Sequence, residues 1–189
     1  MAYSNVTKKV MARAMKELME TTPFGKISVA RICEQCGMNR KSFYYHFKDK
    51  QDLINWIYQS EFLSTVDEHY YNDSKSYDER WDLLSKVCEY FYENRSFYRK
   101  AFKIEGQNSF SEFFRESSEP FMRLYVSDIL KNDTESAEFF VSFFADAFIL
   151  AIKRWLLDNE CMEPEQFVGL LKSCIFSAAK NLVDKEEMA

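Results

Sequence analysis

The chain has 189 residues, of which 47% are hydrophobic, and it contains only four glycines and three prolines. This composition supports a buried core, and the scarcity of Gly and Pro favours long helices over sheets joined by tight turns. No apolar run approaches the roughly 18 residues of a membrane-spanning helix, and the N-terminus lacks the apolar core of a secretory signal. A cytoplasmic protein without membrane association is therefore expected.

The net charge of −5 is distributed unevenly along the chain. Residues 1–60 contain ten Lys or Arg and five Asp or Glu, whereas residues 61–189 contain fifteen and twenty-five. This asymmetry predicts a basic, DNA-facing module attached to an acidic body. The acidic body should keep non-specific DNA binding modest.

The five cysteines are odd in number and follow no disulfide framework, which indicates reduced thiols. Cys33 and Cys36 have the spacing of half a zinc site, but His46 and His69 are the only histidines and form no second pair. Structural thiols are favoured, with a redox sensor as the alternative. The sequence has neither a glycine-rich phosphate loop nor a G-x-S-x-G motif, so we expect no enzyme, no metal and no cofactor.

The first predicted helix covers residues 6–20, where apolar residues recur at every fourth position between charged side chains. Pro23 and Gly25 follow it as breakers. Residues 28–46 then have the pattern of two short helices joined by a turn, with Ser28 and Asn39 as the N-caps and Gly37 as a left-handed turn residue. This pattern predicts a helix-turn-helix, followed by a longer helix at about residues 50–62.

The second short helix has the composition of a DNA recognition helix. Phe43 and Phe47 are four residues apart and should anchor it, while its start is polar and two tyrosines lie among cations. Arg40 is suited to bidentate pairing with guanine and Asn39 to pairing with adenine. The predicted DNA contacts are Ser28, Asn39, Arg40, Lys41, Ser42, Tyr44, Tyr45, His46, Lys48 and Lys50. The alternative is that these residues form a plain solvated face.

The segment from Ile27 to Lys50, with Leu53 after it, resembles the N-terminal signature of the TetR family of regulators. The matching residues, in order, are Ser42, Phe43, Tyr44, Tyr45, His46, Phe47, Lys50 and Leu53. The resemblance implies an all-α protein with a three-helix, helix-turn-helix DNA-binding domain and a larger C-terminal helical domain for dimerisation and ligand binding. It also implies that Ser42 and the residues before it read bases, and that Tyr44, His46 and Lys50 contact phosphate.

The domains are accordingly predicted as residues 1–50 for DNA binding and residues 51–189 for regulation and dimerisation, linked by a helix that continues to about residue 70. Residues 70–79 are polar and are predicted to be a connection. Five further helices are predicted at about residues 79–93, 96–104, 109–130, 135–158 and 163–184.

The last two predicted helices carry apolar stripes with small residues between them. They suit a four-helix interface between two copies of the chain, and such a homodimer requires a roughly palindromic DNA operator. The alternative is that both stripes pack only inside the monomer.

The C-terminal part is also rich in aromatic residues, which line ligand pockets but also fill helical cores. The predicted pocket residues are Phe91, Tyr98, Phe102, Phe114, Phe121, Tyr125 and Phe143. The segments 97–102 and 155–158 resemble a C-terminal subfamily that includes regulators of dihydroxyacetone kinase operons. That resemblance leaves open whether the effector is a small molecule or a coactivator protein, and whether the regulator represses or activates.

The sequence thus predicts a TetR-type transcriptional regulator that binds a palindromic operator in double-stranded DNA as a dimer. The alternative from another functional class is a helical protein–protein adaptor that no longer binds DNA.

Overall fold

Nine α-helices and no strand occur in the part of the chain that the computed structural model describes. The description covers the backbone of residues 2–63, 77–106, 109–130 and 134–186, and the side chains of residues 5–62, 81–106, 109–120, 122–123 and 138–175. The predicted all-α class is confirmed. No helix in the described ranges is both long and apolar enough to cross a membrane.

The helices follow the predicted order. They are α1 (Ala2–Thr21), α2 (Val29–Gln35), α3 (Arg40–His46), α4 (Lys50–Tyr58), α5 (Tyr77–Glu93), α6 (Arg95–Ala101), α7 (Phe110–Leu130), α8 (Thr134–Leu157) and α9 (Pro164–Glu186). A 3-10 turn at Phe24–Lys26 precedes α2, and a π-helical turn at Gln59–Leu63 continues α4. The predicted link towards residue 70 falls on residues 64–76, which lie outside the described residues.

Allowing for the π-helical turn that continues α4, four predicted helix ends differ from the observed ones by two to four residues. Helix α1 begins at Ala2 instead of residue 6, α9 ends at Glu186 instead of residue 184, and the start of α5 and the end of α6 also differ. Helix α5 begins at Tyr77, inside the predicted connection. The predicted start was two residues late because it was placed by apolar periodicity, which the first residues of this helix do not show. Helix α6 ends at Ala101 instead of residue 104, because the next amides bond three residues back: Lys103 N to Lys100 O and Ile104 N to Ala101 O.

The first compact unit comprises Met1–Asp73 and Asn94–Phe114. Helix α1 packs against α2, α3, α4 and α6 within it. Met11, Met15 and Met19 recur every four residues on α1 and are fully buried, together with Ile32 and Leu53. The N-terminal helices are therefore assembled around one apolar stripe of α1.

An aromatic cluster joins α4 to α6 and α7 inside this unit. The Tyr58 ring lies 6.3 Å from that of Tyr98, 5.7 Å from that of Phe110 and 5.6 Å from that of Phe114, in edge-to-face geometry. Segment 94–114 consequently belongs to the same compact unit as the N-terminal helices. The units do not divide at residue 50, and the predicted functional division there stays a prediction.

Lys100 on α6 binds the carboxyl end of α1. Its Nζ donates to the carbonyl oxygen of Glu20 at 2.7 Å and to that of Met19. The last carbonyls of a helix lack intrahelical partners and carry partial negative charge, which makes an ammonium a favourable cap. Helix α6 is thereby fixed to the point where α1 ends.

The second compact unit comprises Ser74–Glu93 and Arg115–Ala189, and in it α5 packs against α8 and α9. Trp155 is buried between two rings, 4.3 Å from Phe167 and 6.0 Å from Tyr92, both nearly parallel to it. Its Nε1 donates to the carbonyl oxygen of Met162 at 2.8 Å. This indole therefore holds the turn between α8 and α9 in place.

We expect Gly37→Ala to destabilise the protein by about 1 kcal/mol, because Gly37 has a φ of 66° and a Cβ is strained in the left-handed region. Gly25→Ala is the matched control, since its Cβ meets open space and its backbone is not left-handed. Urea unfolding followed by circular dichroism measures both. Equal stability of the two variants would contradict the strained position of Gly37.

We expect Trp155→Phe to lower the free energy of unfolding by about 2 kcal/mol, because it leaves the Met162 carbonyl without its donor and a gap in the ring stack. The melting temperature should fall by about 4–8 °C. Tyr92→Phe is the control, because it keeps the ring stack and removes the hydroxyl that donates to Glu163 in an exposed hydrogen bond. A similar loss in both variants would mean that the indole donor is unimportant.

Candidate nucleic-acid interface

Helices α2 and α3 begin at side-chain caps that were both predicted from sequence. The Ser28 Oγ accepts from the Arg31 backbone N at 3.2 Å, and the Asn39 Oδ1 accepts from the Ser42 backbone N at 2.8 Å. Both cap residues have extended backbones. Such caps satisfy amides that have no intrahelical acceptor, and they set where each short helix starts.

The turn between α2 and α3 is closed by backbone hydrogen bonds. The Met38 N donates to the Cys33 O at 2.8 Å and the Gly37 N donates to the Glu34 O at 3.2 Å. The left-handed Gly37 makes this closure possible, as the sequence predicted. The pair of helices therefore has a helix-turn-helix connection.

Helix α3 is anchored by two phenylalanines. Phe43 and Phe47 are buried, their ring centroids are 5.6 Å apart, and Phe47 meets Trp56 of α4 at 5.8 Å. The opposite face of α3 must then point to solvent, because residues three and four apart share one face. Anchoring by Phe43 and Phe47 is confirmed.

The outer face of α3 is polar, cationic and aromatic. The side chains of Arg40 and Lys41 are exposed and form no hydrogen bond or ion pair with any described residue. Tyr44 is 59% and Tyr45 82% exposed, and the Tyr45 ring lies edge-on to His46 at 4.9 Å. Ser42 and His46 are half-buried. This surface can donate hydrogen bonds to a polyanion such as a phosphate backbone and attract it through its positive charge.

The two lysines after α3 are arranged differently. The Lys48 side chain is exposed, while its backbone N donates to the Asp52 Oδ2 at 2.9 Å. The Lys50 Nζ instead donates to the carbonyl oxygens of Phe24 and Ile27, both at 2.8 Å, and lies 4.2 Å from the centroid of the Phe24 ring. Burial lowers the pKa of Lys50. The phosphate contact predicted for Lys50 stays a prediction.

Lys8 on α1 is a cation that sequence reasoning missed. Its Nζ lies 5.8 Å from the centroid of the Phe47 ring and 5.7 Å from that of Trp56, beside the end of α3. No local pattern identifies such a residue, because its partners come from distant parts of the chain.

The Cys33-x-x-Cys36 motif is part of the fold of α2. Cys33 is buried, Cys36 is half-buried, and both are free thiols. Burial is the main cause that raises the pKa of both thiols. Because the thiolate is the reactive form, this environment does not support the redox-sensor alternative.

The predicted pocket aromatics are divided between the two units. Tyr98, Phe102 and Phe114 are buried in the first unit and pack around Phe110, which lies 5.3, 4.9 and 6.1 Å from them. In the second unit Phe91 is buried. Phe143 of the same unit is 55% exposed. The side chains of Phe121 and Tyr125 lie outside the described residues. A ligand pocket stays a prediction.

A groove of about 520 Å³ lies instead between α1 and α4 in the first unit. It is lined mainly by charged side chains and by Trp56, and the Lys16–Glu61 ion pair, with a 2.8 Å N–O distance, is part of its wall. This composition differs from the apolar pocket that the aromatic residues predicted.

Comparisons with known proteins find two family matches. Residues 12–57 match the bacterial regulatory proteins of the tetR family, and residues 79–177 match a transcriptional regulator C-terminal region. The first of these segments contains α2 and α3 with their predicted DNA-contacting face.

Individual relatives agree with these matches. The chain is 32% identical over 114 residues to the dhaKLM operon transcriptional activator DhaS of Lactococcus lactis, covering 60% of this chain and 57% of the relative. It is 22% identical over 133 residues to a transcriptional regulator of Staphylococcus aureus, covering 70% of each. The chain thus spans less than two thirds of the first relative.

Solved structures share the fold. A structure of the dihydroxyacetone kinase operon activator DhaS has a TM-score of 0.67 and 23% identity, over 93% of this chain and 97% of that one. A TetR transcriptional regulator from Streptococcus agalactiae also has a TM-score of 0.67, with 18% identity, over 92% and 96%. One family match covers the N-terminal helices, and the other covers more than half of the chain. The chain therefore belongs to the TetR family of transcriptional regulators.

Proposed function

We propose that this regulator binds a palindromic DNA operator as a homodimer, with α3 in the major groove. The exposed outer face of α3 carries the proposal, because Arg40, Lys41, Tyr44 and Tyr45 project from a helix that Phe43 and Phe47 hold rigidly. Exposed tyrosines beside cations otherwise leave apolar surface in water for no structural gain. No catalysis is part of this function.

Each predicted contact has a distinct part in this proposal. Arg40, at the start of α3, is placed to read a guanine through its two-pronged guanidinium, and Lys41 and Lys48 supply charge to phosphates. Asn39 and Ser28 already act as caps, so only the remaining hydrogen-bonding capacity of their side chains is available to DNA. Operator DNA would place the protein in the bacterial cytoplasm.

Dimerisation is supported by apolar side chains that the second unit leaves exposed. Phe139 and Phe143 of α8 are 68% and 55% exposed and stack on each other at 6.2 Å, and Leu150 lies further along the same helix. Leu170 of α9 is also exposed. Such surface is typical of an interface, and a second copy of the chain presents the same surface for a two-fold pairing.

We further propose that the C-terminal region receives an effector, either a small molecule or a coactivator protein, and that the outcome is activation. The relative from Lactococcus lactis is named a transcriptional activator, which supports this direction. Deletion of the gene should lower transcripts next to the operator, measured by RNA sequencing. A rise in those transcripts would show that the regulator is a repressor.

The proposal is tested by selecting bound sequences from randomised duplex DNA with the purified protein. Recovery of a palindrome is expected, since a two-fold dimer requires two related half-sites. A recovered site without two-fold symmetry would contradict the dimer. Failure to recover any site from a folded, dimeric protein would favour the adaptor alternative.

We expect Arg40→Ala to reduce discrimination between the selected operator and its single-base variants by about 1–3 kcal/mol at one position per half-site. Fluorescence anisotropy with each duplex measures this loss. Arg95→Ala removes the same charge from an exposed site on α6, outside both α3 and the proposed dimer face of α8, and serves as the control. Equal discrimination by both variants would remove Arg40 from the base-reading set.

We expect Phe143→Glu to convert the dimer to a monomer, because it places a charge at the centre of the proposed apolar interface. Sedimentation equilibrium measures the mass, and operator affinity should fall with it. Met162→Glu, at an exposed apolar residue between α8 and α9, is the control. A dimeric Phe143→Glu variant would place the interface elsewhere.

A further inference from the structure

Lys50 differs from the other predicted DNA-contacting lysines because its charged group is used inside the protein. Two of its three N–H donors are directed at the carbonyl oxygens of Phe24 and Ile27, and its ammonium also lies over the Phe24 ring. Lys41 and Lys48, in contrast, extend from the surface. A side chain held by three contacts has little freedom to reach outward.

The two carbonyls that Lys50 binds lie where the chain enters the helix-turn-helix. Phe24 begins the 3-10 turn, and Ile27 directly precedes Ser28, the cap of α2. Lys50 itself is the first residue of α4, four residues after α3 ends at His46. The ammonium therefore ties the segment entering α2 to the segment leaving α3.

We propose that Lys50 is a positioning residue for DNA recognition, one that clamps the two ends of the helix-turn-helix at residues 28–46. This inference rests on the proposed DNA interface of α3. It replaces the phosphate contact that resemblance implies for Lys50 with an indirect role through α2 and α3.

The clamp acts mainly by fixing the positions of α2 and α3, and less by attracting DNA phosphates with the charge of Lys50. Removal of the ammonium leaves the part-buried Ile27 carbonyl without its donor and the Phe24 carbonyl with only the Ile27 backbone N–H, so the segment Phe24–Ile27 is no longer tied to the start of α4. Base readout by Arg40 depends on hydrogen bonds that weaken steeply with distance and angle. Attraction to phosphate charge tolerates such a shift, so the clamp should affect operator binding and leave non-specific binding unchanged.

The test compares Lys50→Met with the control Lys48→Met, which removes the same charge from an exposed neighbour. Affinity is measured for the selected operator and for a scrambled duplex of equal length, over a range of KCl concentrations and at a temperature where all variants are folded. Lys50→Met should lower the melting temperature and weaken operator binding by about tenfold, with the scrambled duplex within about twofold and the salt slope unchanged. Lys48→Met should weaken both duplexes alike and reduce the salt slope by about 1, without a change in melting.

Two results would overturn the inference. Equal weakening of both duplexes by Lys50→Met, with a salt slope reduced by about 1, would make Lys50 a phosphate contact. A lower melting temperature with unchanged affinity of the folded protein would make Lys50 purely structural. A wild-type protein that binds neither duplex in a salt-dependent manner would instead overturn the proposed function.

Lys50→Arg keeps the test decisive if Lys50→Met does not fold. Arginine retains the charge and binds phosphate well, so a phosphate contact predicts wild-type affinity for both duplexes. A clamp predicts weaker operator binding alone, because the longer side chain and the planar guanidinium change the position from which the Phe24 and Ile27 carbonyls are held.

Discussion

The contact of Tyr58 with Tyr98, Phe110 and Phe114 is the interaction on which the first unit depends. Tyr58 ends α4, whose first residue is Lys50, so the cluster and the helix-turn-helix are connected through one short helix. Close-packed interiors transmit displacement instead of absorbing it. A change in α6 or at the start of α7 therefore has a direct mechanical route to α4.

Two lysines bind the backbone between the end of α1 and the start of α2. Lys100 binds the carbonyls of Met19 and Glu20, and Lys50 binds those of Phe24 and Ile27. Lys100 lies in the segment that matches the regulator C-terminal region, whereas Lys50 lies in the segment that matches the DNA-binding family. The chain entering α2 is thus held jointly by both parts of the sequence, which explains why residue 50 does not mark a boundary between compact units.

Sequence reasoning succeeded where the determining interaction is local. The side chains of Ser28 and Asn39 accept hydrogen bonds from backbone N–H groups three residues later, and the left-handed φ of Gly37 is typical of glycine. The helix-turn-helix could therefore be predicted in detail. The partners of Lys50 are backbone carbonyls 26 and 23 residues away. Every residue has such a carbonyl, so the residue types in the sequence do not indicate which ones Lys50 binds. Likewise Tyr98 and Phe143 are both aromatic residues on helices, yet one is buried and the other 55% exposed, since tertiary packing alone separates them.

The charge distribution makes geometry decisive for specificity. The acidic residues 61–189 oppose the approach of DNA, so non-specific affinity should rest on a few cations near α3. In the proposed mode of binding, specific affinity must then come from base contacts, which require a fixed position of α3. The buried Phe43 and Phe47 hold α3 against the core, and the caps of α2 and α3 fix where each helix begins. Positive charge on residues 1–60 alone would give non-specific DNA binding. Discrimination between DNA sequences additionally requires that α3 is held rigidly.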